Sequence, residues 1–472
     1  MSNWFTKLFS RKPKGKRLGY VGAATGRLQN GWVTANPSIE AITDADLARL
    51  RARSRHLCRN NPLIAQAQTA FGTGLIGSGV AARSATGSQT IDKRVDALWA
   101  DVVREIDAEG IQDLAGLQLT AFNTMFAGGE AIIRRRWRQP DDGLTVPFQI
   151  QVLPAEYLDI SKTEDLADGG RIVQGVEFGS DGRRRAYWLF RDHPDVVWSG
   201  ESVRVPAEDV AHVYEVREAG QVRGIPWPAP VISQVYALEE YREAERVRKR
   251  IEACTVAFVS SPDGTIPFPE TASTTDADGN PIGSLNPGAI LNVRDGTTVT
   301  MGTPAQVWGF PDYVKTEVQA IASGLRITYA LLSGNLKDVN YSSIRYGALA
   351  YKAVVQQIQR TVIEPLMMRP IWRWFIEAAI ASGKLRARDY PVKFVPPVFE
   401  EIDRVKEANA DVEEVKAGLA SLQDVLARRG QDWRKVLSEQ AKVQEEARRL
   451  GLVLSVDLAA ELQSKQKEPV DG

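Results

Sequence analysis

The chain has 472 residues, of which 43% are hydrophobic, and its 59 basic and 59 acidic residues give a formal net charge of zero. This length exceeds a single compact core and predicts two or three domains. The balanced charge is unlike the basic composition of a dedicated DNA-binding protein, and no apolar run is long enough to span a membrane. Cys58 and Cys254 are too isolated for a disulfide framework and, with no signal-peptide core, suit a reducing cytoplasm.

A basic arm occupies residues 1–40, because no acidic residue precedes Glu40. One interpretation is a solvated tail, and the other is an arm that meets nucleic acid or an acidic partner. Its basic residues are Lys7, Arg11, Lys12, Lys14, Lys16, Arg17 and Arg27.

Helical periodicity begins at about residue 44, with Thr43 as a candidate cap, and the sequence Asn60-Asn61-Pro62 separates helices over 44–59 and 63–71. The glycines that follow have the spacing of a dinucleotide-binding loop. That loop needs a strand before it and a helix after it, and neither is predicted here. We interpret the segment as a turn with positive φ angles. Its glycines are Gly72, Gly74 and Gly77.

The next helices are predicted over 90–106 and 114–125. A β-rich middle follows, with alternating apolar residues and tight turns that indicate antiparallel strands. A hairpin turn is predicted over 139–143. The predicted strands span 131–137, 148–153, 172–178, 185–190, 202–205 and 209–214.

The sequence Pro226-Trp227-Pro228-Ala229-Pro230 starts a long helix predicted over 231–258. Its apolar residues form one narrow stripe, and the other faces are charged. Such a helix suits either a stave in a ring of identical helices or a long helix across an α+β domain. The stripe comprises Ile232, Val235, Leu238, Tyr241, Val247, Ile251, Cys254 and Phe258.

The third part of the chain begins with a patternless loop over 262–288, which is either disordered or functional. A hairpin is predicted between 289–293 and 298–301, and a single helix over 311–332. After a polar loop, Ser342-Ser343 starts a helix that reaches residue 380.

A kink or break is predicted near 364–370, because Pro365 and Pro370 interrupt that helix, and the aromatic residues after it are predicted as core. Residues 400–450 form charged helices, and 464–472 form a loose tail. The named positions are Trp372, Trp374 and Phe375 in the core, Ser421 as a cap and Gly430 as a stop.

Motifs that would indicate catalysis are missing from the sequence. His56, His193 and His212 are scattered, and no zinc-ligand spacing, P-loop or nucleophile elbow occurs. This favours structure and binding over enzymatic chemistry, and we expect no cofactor and no metal.

Several stretches jointly resemble the portal proteins of tailed bacteriophages, of the lambda type. They cover most of the chain in the family's order. These stretches are LRARSRHLCRNNPLIAQAQTAFGTGLIGSGV (50–80), GEAIIRRRWR (129–138), GVEFGSDGRRRAYWLFRDHP (175–194), VRVPAEDVAHVYEVREAGQVRGIPWPAPV (203–231), the long helix, LKDVNYSSIRYGALAYK (336–352) and EIDRVKEANADVEEVKAGLASLQDVLARRGQDW (401–433).

The resemblance implies an α+β portal fold with a wing, a helical stem, a small clip and a helical crown, closed into a ring around a channel. It divides the chain into an arm (1–40), wing and clip (41–225), a stem helix (226–260), a loop and hairpin (261–310), channel-proximal helices with a kinked wing helix (311–399), a crown (400–463) and a tail (464–472).

The function implied is a ring of about twelve copies at one capsid vertex, through which double-stranded DNA is packaged and ejected. The implied partners are the terminase large subunit, the major capsid or scaffolding protein and the head–tail connector proteins, with no membrane. Assembly would occur in the host bacterial cytoplasm and the product would lie in the virion. ATP hydrolysis would belong to the terminase.

The resemblance also suggests candidate sites. The channel-loop candidates are Asn335, Lys337, Asp338, Asn340 and Arg345. The stem charges that would lie between subunits or face the channel are Glu239, Glu240, Arg242, Glu243, Arg246, Arg248, Lys249 and Arg250.

Two alternatives stay open at this point. One is a nucleic-acid-processing enzyme, such as a nuclease, with a carboxylate metal site in the β-rich middle. The other is a scaffold attached to a membrane or host surface through the basic arm and its sequence FTKLF.

Overall fold

The computed structural model describes residues 38–196, 200–253, 257–260, 274–275, 281–282, 298–301, 309–337, 340–397, 399, 404–429 and 433–452. The predicted arm except its last residues, the tail, most of the 262–288 loop, the 289–293 strand and Gly430 therefore lie outside the described residues.

Helices surround small antiparallel sheets. The helices are α1 (Ile39–Asn60), α2 (Pro62–Leu75), α3 (Gln89–Glu105), α4 (Leu114–Gly128), α5 (Ile232–Ala253), α6 (Phe310–Gly324), α7 (Tyr329–Ser333), α8 (Tyr341–Ile358), α9 (Arg369–Ala381), α10 (Arg404–Lys416), α11 (Leu422–Arg428) and α12 (Trp433–Arg449). The strands are β1 (Ala81–Ser84), β2 (Glu130–Trp137), β3 (Phe148–Pro154), β4 (Glu164–Asp165), β5 (Arg171–Val173), β6 (Val176–Phe178), β7 (Arg184–Leu189), β8 (Val203–Pro206), β9 (Val210–Tyr214), β10 (Ala257–Ser260), β11 (Thr274–Thr275), β12 (Pro281–Ile282), β13 (Thr298–Met301) and β14 (Val392–Val395).

Two sheets form the β-rich middle. One has the strand order β3-β2-β9 and the other β4-β5-β6-β7-β8, and every pairing within them is antiparallel. The predicted antiparallel style is confirmed. The predicted strand 172–178 is wrong as a single strand, because Gln174 and Gly175, both with positive φ, turn the chain into the hairpin of β5 and β6.

One large hydrophobic cluster joins α1 to α4, the β2 sheet, α5, α6, α8 and α9. A smaller cluster lies between the two sheets and includes Ile132, Leu153 and Tyr187. The predicted core residues Trp372, Trp374 and Phe375 are buried in the large cluster, as expected. The β-rich middle is thus packed directly onto the helical part.

The long helix after the prolines ends earlier than predicted. α5 ends at Ala253, and residues 257–260 form strand β10, which pairs with β13. This pairing also corrects the predicted hairpin, because the described partner of residues 298–301 is β10. The apolar stripe divides: Ile232, Val235 and Leu238 are buried, whereas Val247 is 43% exposed.

Three other predictions need correction. The single helix over 311–332 is two helices, α6 and α7, because Arg326 adopts a φ of 62° between them. Ser38 rather than Thr43 caps α1, and α8, capped by Asn340, begins at Tyr341, one residue before the predicted start.

The kink predicted near 364–370 is confirmed as a local change of helix geometry. Residues Gln359–Met368 form a wider π-helical stretch that contains Pro365, and α9 continues from it. The wider turn accommodates a proline that lacks the N–H of a regular helical bond. The predicted Ser421 cap is also found, since its Oγ accepts a bond from the Asp424 N–H at 3.1 Å.

Gly72 and Gly74 lie inside α2, so the interpretation of these two glycines as part of a turn is wrong. Gly77 has a φ of 49° and lies in a turn, as predicted. A Cβ atom on Gly74 would lie 2.7 Å from the Tyr351 hydroxyl oxygen of α8. That hydroxyl donates a hydrogen bond to the Ala70 carbonyl at 2.7 Å. Gly74 is therefore needed because another helix packs closely against it.

We predict that Gly74→Ala lowers the free energy of unfolding by about 1–3 kcal/mol through overpacking, despite the better helix propensity of alanine. Combining it with Tyr351→Phe recovers part of the loss, since the clashing oxygen is removed. Urea denaturation of the four variants in the cycle measures the coupling, with Thr73→Ala as the control. Additive effects of the two changes would contradict the packing explanation.

Candidate functional site

Helices α5 and α6 form an antiparallel pair. At one end of the pair, near the middle of α5, the Tyr241 ring lies 5.6 Å from the Phe310 ring and 4.9 Å from the Tyr313 ring. At the other end, Val231 contacts Gly324 so closely that a Cβ there would lie 2.4 Å from the valine Cγ1. The start of α5 therefore lies beside the end of α6.

The candidate stem charges form local pairs along α5. Glu243 pairs with Arg246 at 3.1 Å, and Arg248 Nε donates to Glu245 at 2.8 Å. Glu239 accepts a bond from the Asn61 amide at 2.6 Å, which ties α5 to the start of α2. The remaining candidates are Glu240, which interacts with the Tyr236 hydroxyl and raises its pKa, the half-buried Arg242, and the exposed Lys249 and Arg250.

The candidate loop joins α7 to α8, and its two asparagines have structural roles. Asn335 Oδ1 accepts a bond from the Lys337 N–H at 2.9 Å, and Asn340 caps α8 by accepting from the Ser343 N–H at 2.8 Å. Lys337 and Arg345 are exposed. Asp338 lies outside the described residues.

The two candidate sets lie on different elements of the fold. The loop follows α7, which contacts α2 through the bond from the Gln66 amide to the Leu331 carbonyl at 3.3 Å, whereas the stem candidates lie along α5.

Arg326 fixes the break between α6 and α7. Its φ of 62° is unusual for a residue with a side chain. The guanidinium donates two bonds to Glu215, at 2.6 and 2.9 Å, and lies 5.0 Å from the centre of the Trp227 ring. These contacts offset the cost of the left-handed conformation and connect the break to the segment that precedes α5.

A buried ion network adjoins the segment that leads into α5. Its centre is Glu130, which is fully buried. Arg51 of α1 donates to its Oε1 at 2.6 Å, and Arg223 Nε donates to the same oxygen at 2.8 Å. The Gly224 N–H donates to Oε2 at 2.7 Å. One carboxylate therefore joins α1, β2 and the chain that leads into α5.

The surrounding charges and burial determine the protonation states of Glu130 and His212. Burial alone would raise the pKa of Glu130, but Arg223 and Arg51 hold its pKa well below the usual value. The guanidinium of Arg184 can only donate, so it bonds to Nδ1 of His212 at 3.0 Å, which leaves the proton on Nε2, 2.9 Å from Glu130. Burial lowers the pKa of His212 to about 4, in agreement with a neutral ring.

The enzyme alternative is not favoured by the β-rich middle. Across the described ranges, no group of three or more His, Cys, Asp or Glu residues could hold a metal ion. The buried carboxylates described there are already committed: Glu130 to arginines, Glu177 to Arg204 and Asp159 to the hydroxyl groups of Ser161 and Ser202.

Among the residues with described positions, no helix combines the length and apolar character that crossing a membrane requires.

Sequence reasoning missed Glu130, Arg223 and Arg326. The bonds to Glu130 join residues 79 to 94 positions apart, so no local spacing indicates them. The one available signal was a lone glutamate before the apolar start of β2, where a buried charge needs a partner.

We predict that Glu215→Gln weakens the contact that holds the α6–α7 break. The pair is partly exposed and contributes about 1 kcal/mol, so amide hydrogen exchange in residues 325–333 becomes roughly fivefold faster. Hydrogen exchange with mass spectrometry on the full chain measures this. The exposed Glu218→Gln is the control; equal exchange in both variants would show that Glu215 does not restrain the break.

We predict that Glu130→Gln lowers the free energy of unfolding by about 3–5 kcal/mol, because Arg51 and Arg223 remain buried without a counter-charge. Urea denaturation measures the change. The exposed Glu109→Gln should stay within about 0.5 kcal/mol of the unchanged chain. If both variants unfold alike, the network does not hold these segments together.

Comparisons with known proteins agree on one family. Residues 25–359 match the family described as "Phage portal protein, lambda family". The "Probable portal protein" of Halomonas phage phiHAP-1 is 24% identical over 346 residues, which cover 70% of this chain but only 65% of that protein. The "Portal protein" of Escherichia phage N15 is 22% identical, covering 91% of this chain and 90% of that protein, and "Portal protein B" of Escherichia phage lambda is 21% identical, covering 96% and 94%.

A solved structure shares the fold. A chain of "Neck of native GTA particle computed with C12 symmetry" superposes with a TM-score of 0.50 at 14% identity, covering 81% of this chain and 93% of that chain. The family match extends over more than half of the sequence, and the α+β architecture agrees with it. The chain belongs to the lambda family of phage portal proteins.

Proposed function

We propose that this chain is the subunit of a ring of about twelve copies at one vertex of a phage capsid, and that double-stranded DNA enters and leaves through the ring. Family membership supports the role. The neck structure with the same fold was obtained with twelvefold symmetry, which supports the copy number.

The observation that carries the proposal is an apolar surface on α8 and the loop before it. Leu336 is 65% exposed, Tyr346 is 77% exposed and Leu349 is 56% exposed. Tyr346 and Leu349 are three residues apart on α8 and therefore share a face, and exposed apolar side chains clustered in this way mark interaction surfaces. In a ring, each copy contacts a different face of the next copy, so a neighbour can cover this surface.

We assign the parts of the ring from membership of the portal family. Residues 226–260 supply a stem helix, 41–225 the wing and clip, 311–399 the channel-proximal helices and the kinked wing helix, and 400–463 the crown. The arm (1–40), the loop and hairpin (261–310) and the tail (464–472) complete the chain. The antiparallel α5–α6 pair supports the stem assignment, because it offers a long, charged outer face.

The channel would be lined by the loop between α7 and α8. Asn335 and Asn340 shape this loop through their turn and cap bonds, and the exposed Lys337 of the loop and Arg345 of the first turns of α8 would face the channel. Each phosphate contact adds salt-dependent affinity, so few fixed cations suit a port that DNA must traverse. Asp338 belongs to the same proposal. The stem charges Glu239, Glu240, Arg242, Glu243, Arg246, Arg248, Lys249 and Arg250 would meet neighbouring subunits or the channel.

The proposed partners are the terminase large subunit, the major capsid or scaffolding protein and the head–tail connector proteins. Assembly would take place in the host bacterial cytoplasm, and the ring would remain in the virion. The subunit would perform no chemistry and need no cofactor, which fits the engaged carboxylates of the β-rich middle.

We predict that the purified chain forms a ring of roughly 620 kDa, since twelve copies of a 52.0 kDa chain give about that mass. Tyr346→Glu should shift most of the protein to smaller species, because it places a charge in the covered surface. Ile111→Glu is a matched control, as Ile111 and Tyr346 are both 77% exposed.

Mass photometry and negative-stain images test this. A ring with a central hole that Tyr346→Glu disrupts and Ile111→Glu does not is the expected result. A monomer or dimer that persists at high concentration would contradict the proposal and return attention to the β-rich middle.

A further inference from the structure

Three arginines follow one another along one face of β2. Side chains alternate between the faces of a strand, so Arg134, Arg136 and Arg138 share the face of Ile132, while Arg135 lies on the other. All three arginines are half-buried. Successive members stand about 7 Å apart, so the row is about 14 Å long. We call Arg134, Arg136 and Arg138 the arginine row.

Two glutamines of β3 hold this row in place without neutralising it. Arg136 donates to the Gln151 side-chain oxygen through Nε at 3.0 Å and Nη2 at 2.6 Å. Arg138 Nε donates to the Gln149 oxygen at 2.7 Å, and the Gln149 amide in turn donates to the carbonyls of Glu105 and Asp107. The guanidinium groups of Arg136 and Arg138 are therefore held in place, with most of their N–H donors uncommitted.

No described carboxylate forms an ion pair with the row. Burial lowers the pKa of Arg134, and the nearby Asp209, which opposes that shift, binds Arg135, whose Nη2 lies 2.6 Å from it. Arg135 also pairs with Glu377. The buried arginine on the opposite face thus has two counter-charges, whereas the three arginines of the row have none within ion-pair distance in the part of the chain described.

The positive charges of the row are compensated only by Asp209 near Arg134, which forms no ion pair with it in the described residues. Burial lowers the pKa of Arg136, and the neighbouring charges of Arg134 and Arg138 lower it further. Holding three like charges in parallel costs free energy that the two glutamines only partly offset. A surface with this arrangement gains most from a ligand that carries several negative charges at the same repeat.

We propose that the arginine row is a docking surface for an extended acidic segment of a partner protein, with carboxylates on alternate residues. An extended chain repeats its same-side residues every two positions, at about the 7 Å spacing of the row. Each guanidinium can bind one carboxylate through two N–H groups.

Nucleic acid fits the row less well. Single-stranded DNA is held by aromatic rings on the same surface as the cations, and the exposed Trp137 lies on the opposite face, stacked with Arg135 at 4.4 Å. Duplex DNA would gain only about three phosphate contacts from a straight row of this length. The geometry therefore favours a peptide of alternating charge.

The experiment is fluorescence anisotropy with the assembled full chain and a labelled serine peptide that carries glutamate at alternate positions, at low salt. The same peptide with glutamine in place of glutamate and a mixed-sequence duplex DNA are the comparison probes. We expect the glutamate peptide to bind, and the triple variant Arg134→Gln, Arg136→Gln, Arg138→Gln to weaken its binding by about tenfold or more.

A matched control removes the same charge elsewhere. Arg49→Gln, Arg53→Gln, Arg59→Gln changes three exposed arginines of α1 and should leave peptide binding within about twofold. Should the triple row variant fail to assemble, the single variant Arg136→Gln replaces it, with an expected loss of about threefold or more. Equal losses in row and control variants, or tighter row-dependent binding of duplex DNA than of the peptide, would overturn the proposal.

Discussion

The arrangement of this subunit depends on one buried carboxylate. Glu130 receives bonds from Arg51, Arg223 and the Gly224 N–H, so the first helix, the central sheet and the segment before α5 meet at its two oxygens. Arg223 also donates a hydrogen bond at 2.8 Å to the carbonyl of Gln174, in the turn between β5 and β6 of the second sheet. A lone buried charge would cost several kcal/mol, and here that cost is offset only if all these segments hold their positions together.

The Glu130 network is connected to the α5–α6 pair through the segment that precedes α5. Gly224 is followed by the proline-rich turn whose Trp227 lies among Phe71, Phe122 and Phe126, with ring centres 5.1 to 5.7 Å away. Arg326 stacks on that tryptophan and holds the break after α6. The loop proposed to line the channel is therefore connected to a well-packed base, although the loop itself is exposed.

The region around Glu130 and Trp227 is well packed, whereas the outer helices expose apolar side chains to solvent. Half of α5, the start of α8 and the helices α10 to α12 expose apolar side chains, including Val247, Tyr346 and Leu437. Their charged neighbours pair mainly within one helix, and such exposed pairs contribute little to stability. A well-packed core combined with exposed apolar side chains on the outer helices is what we expect of a subunit whose outer surface is covered by neighbouring copies.

The sequence by itself determined the type and order of most helices and antiparallel strands, the break at Asn61-Pro62, the helix distortion at Pro365 and the portal family, because hydrophobic period, proline and motif order are local signals. Only the tertiary structure decided that residues 257–260 leave the helix to pair with 298–301, and that Gly72 and Gly74 stay within α2. It also decided that Arg326 divides a continuous helical pattern, because Glu215, 111 residues away, binds it. For the candidate site, sequence reasoning proposed residues of α5 and of the α7–α8 region, and it missed the buried Glu130 and Arg223. Contacts between distant segments carry no periodic signature, so packing and charge compensation in three dimensions settled these points.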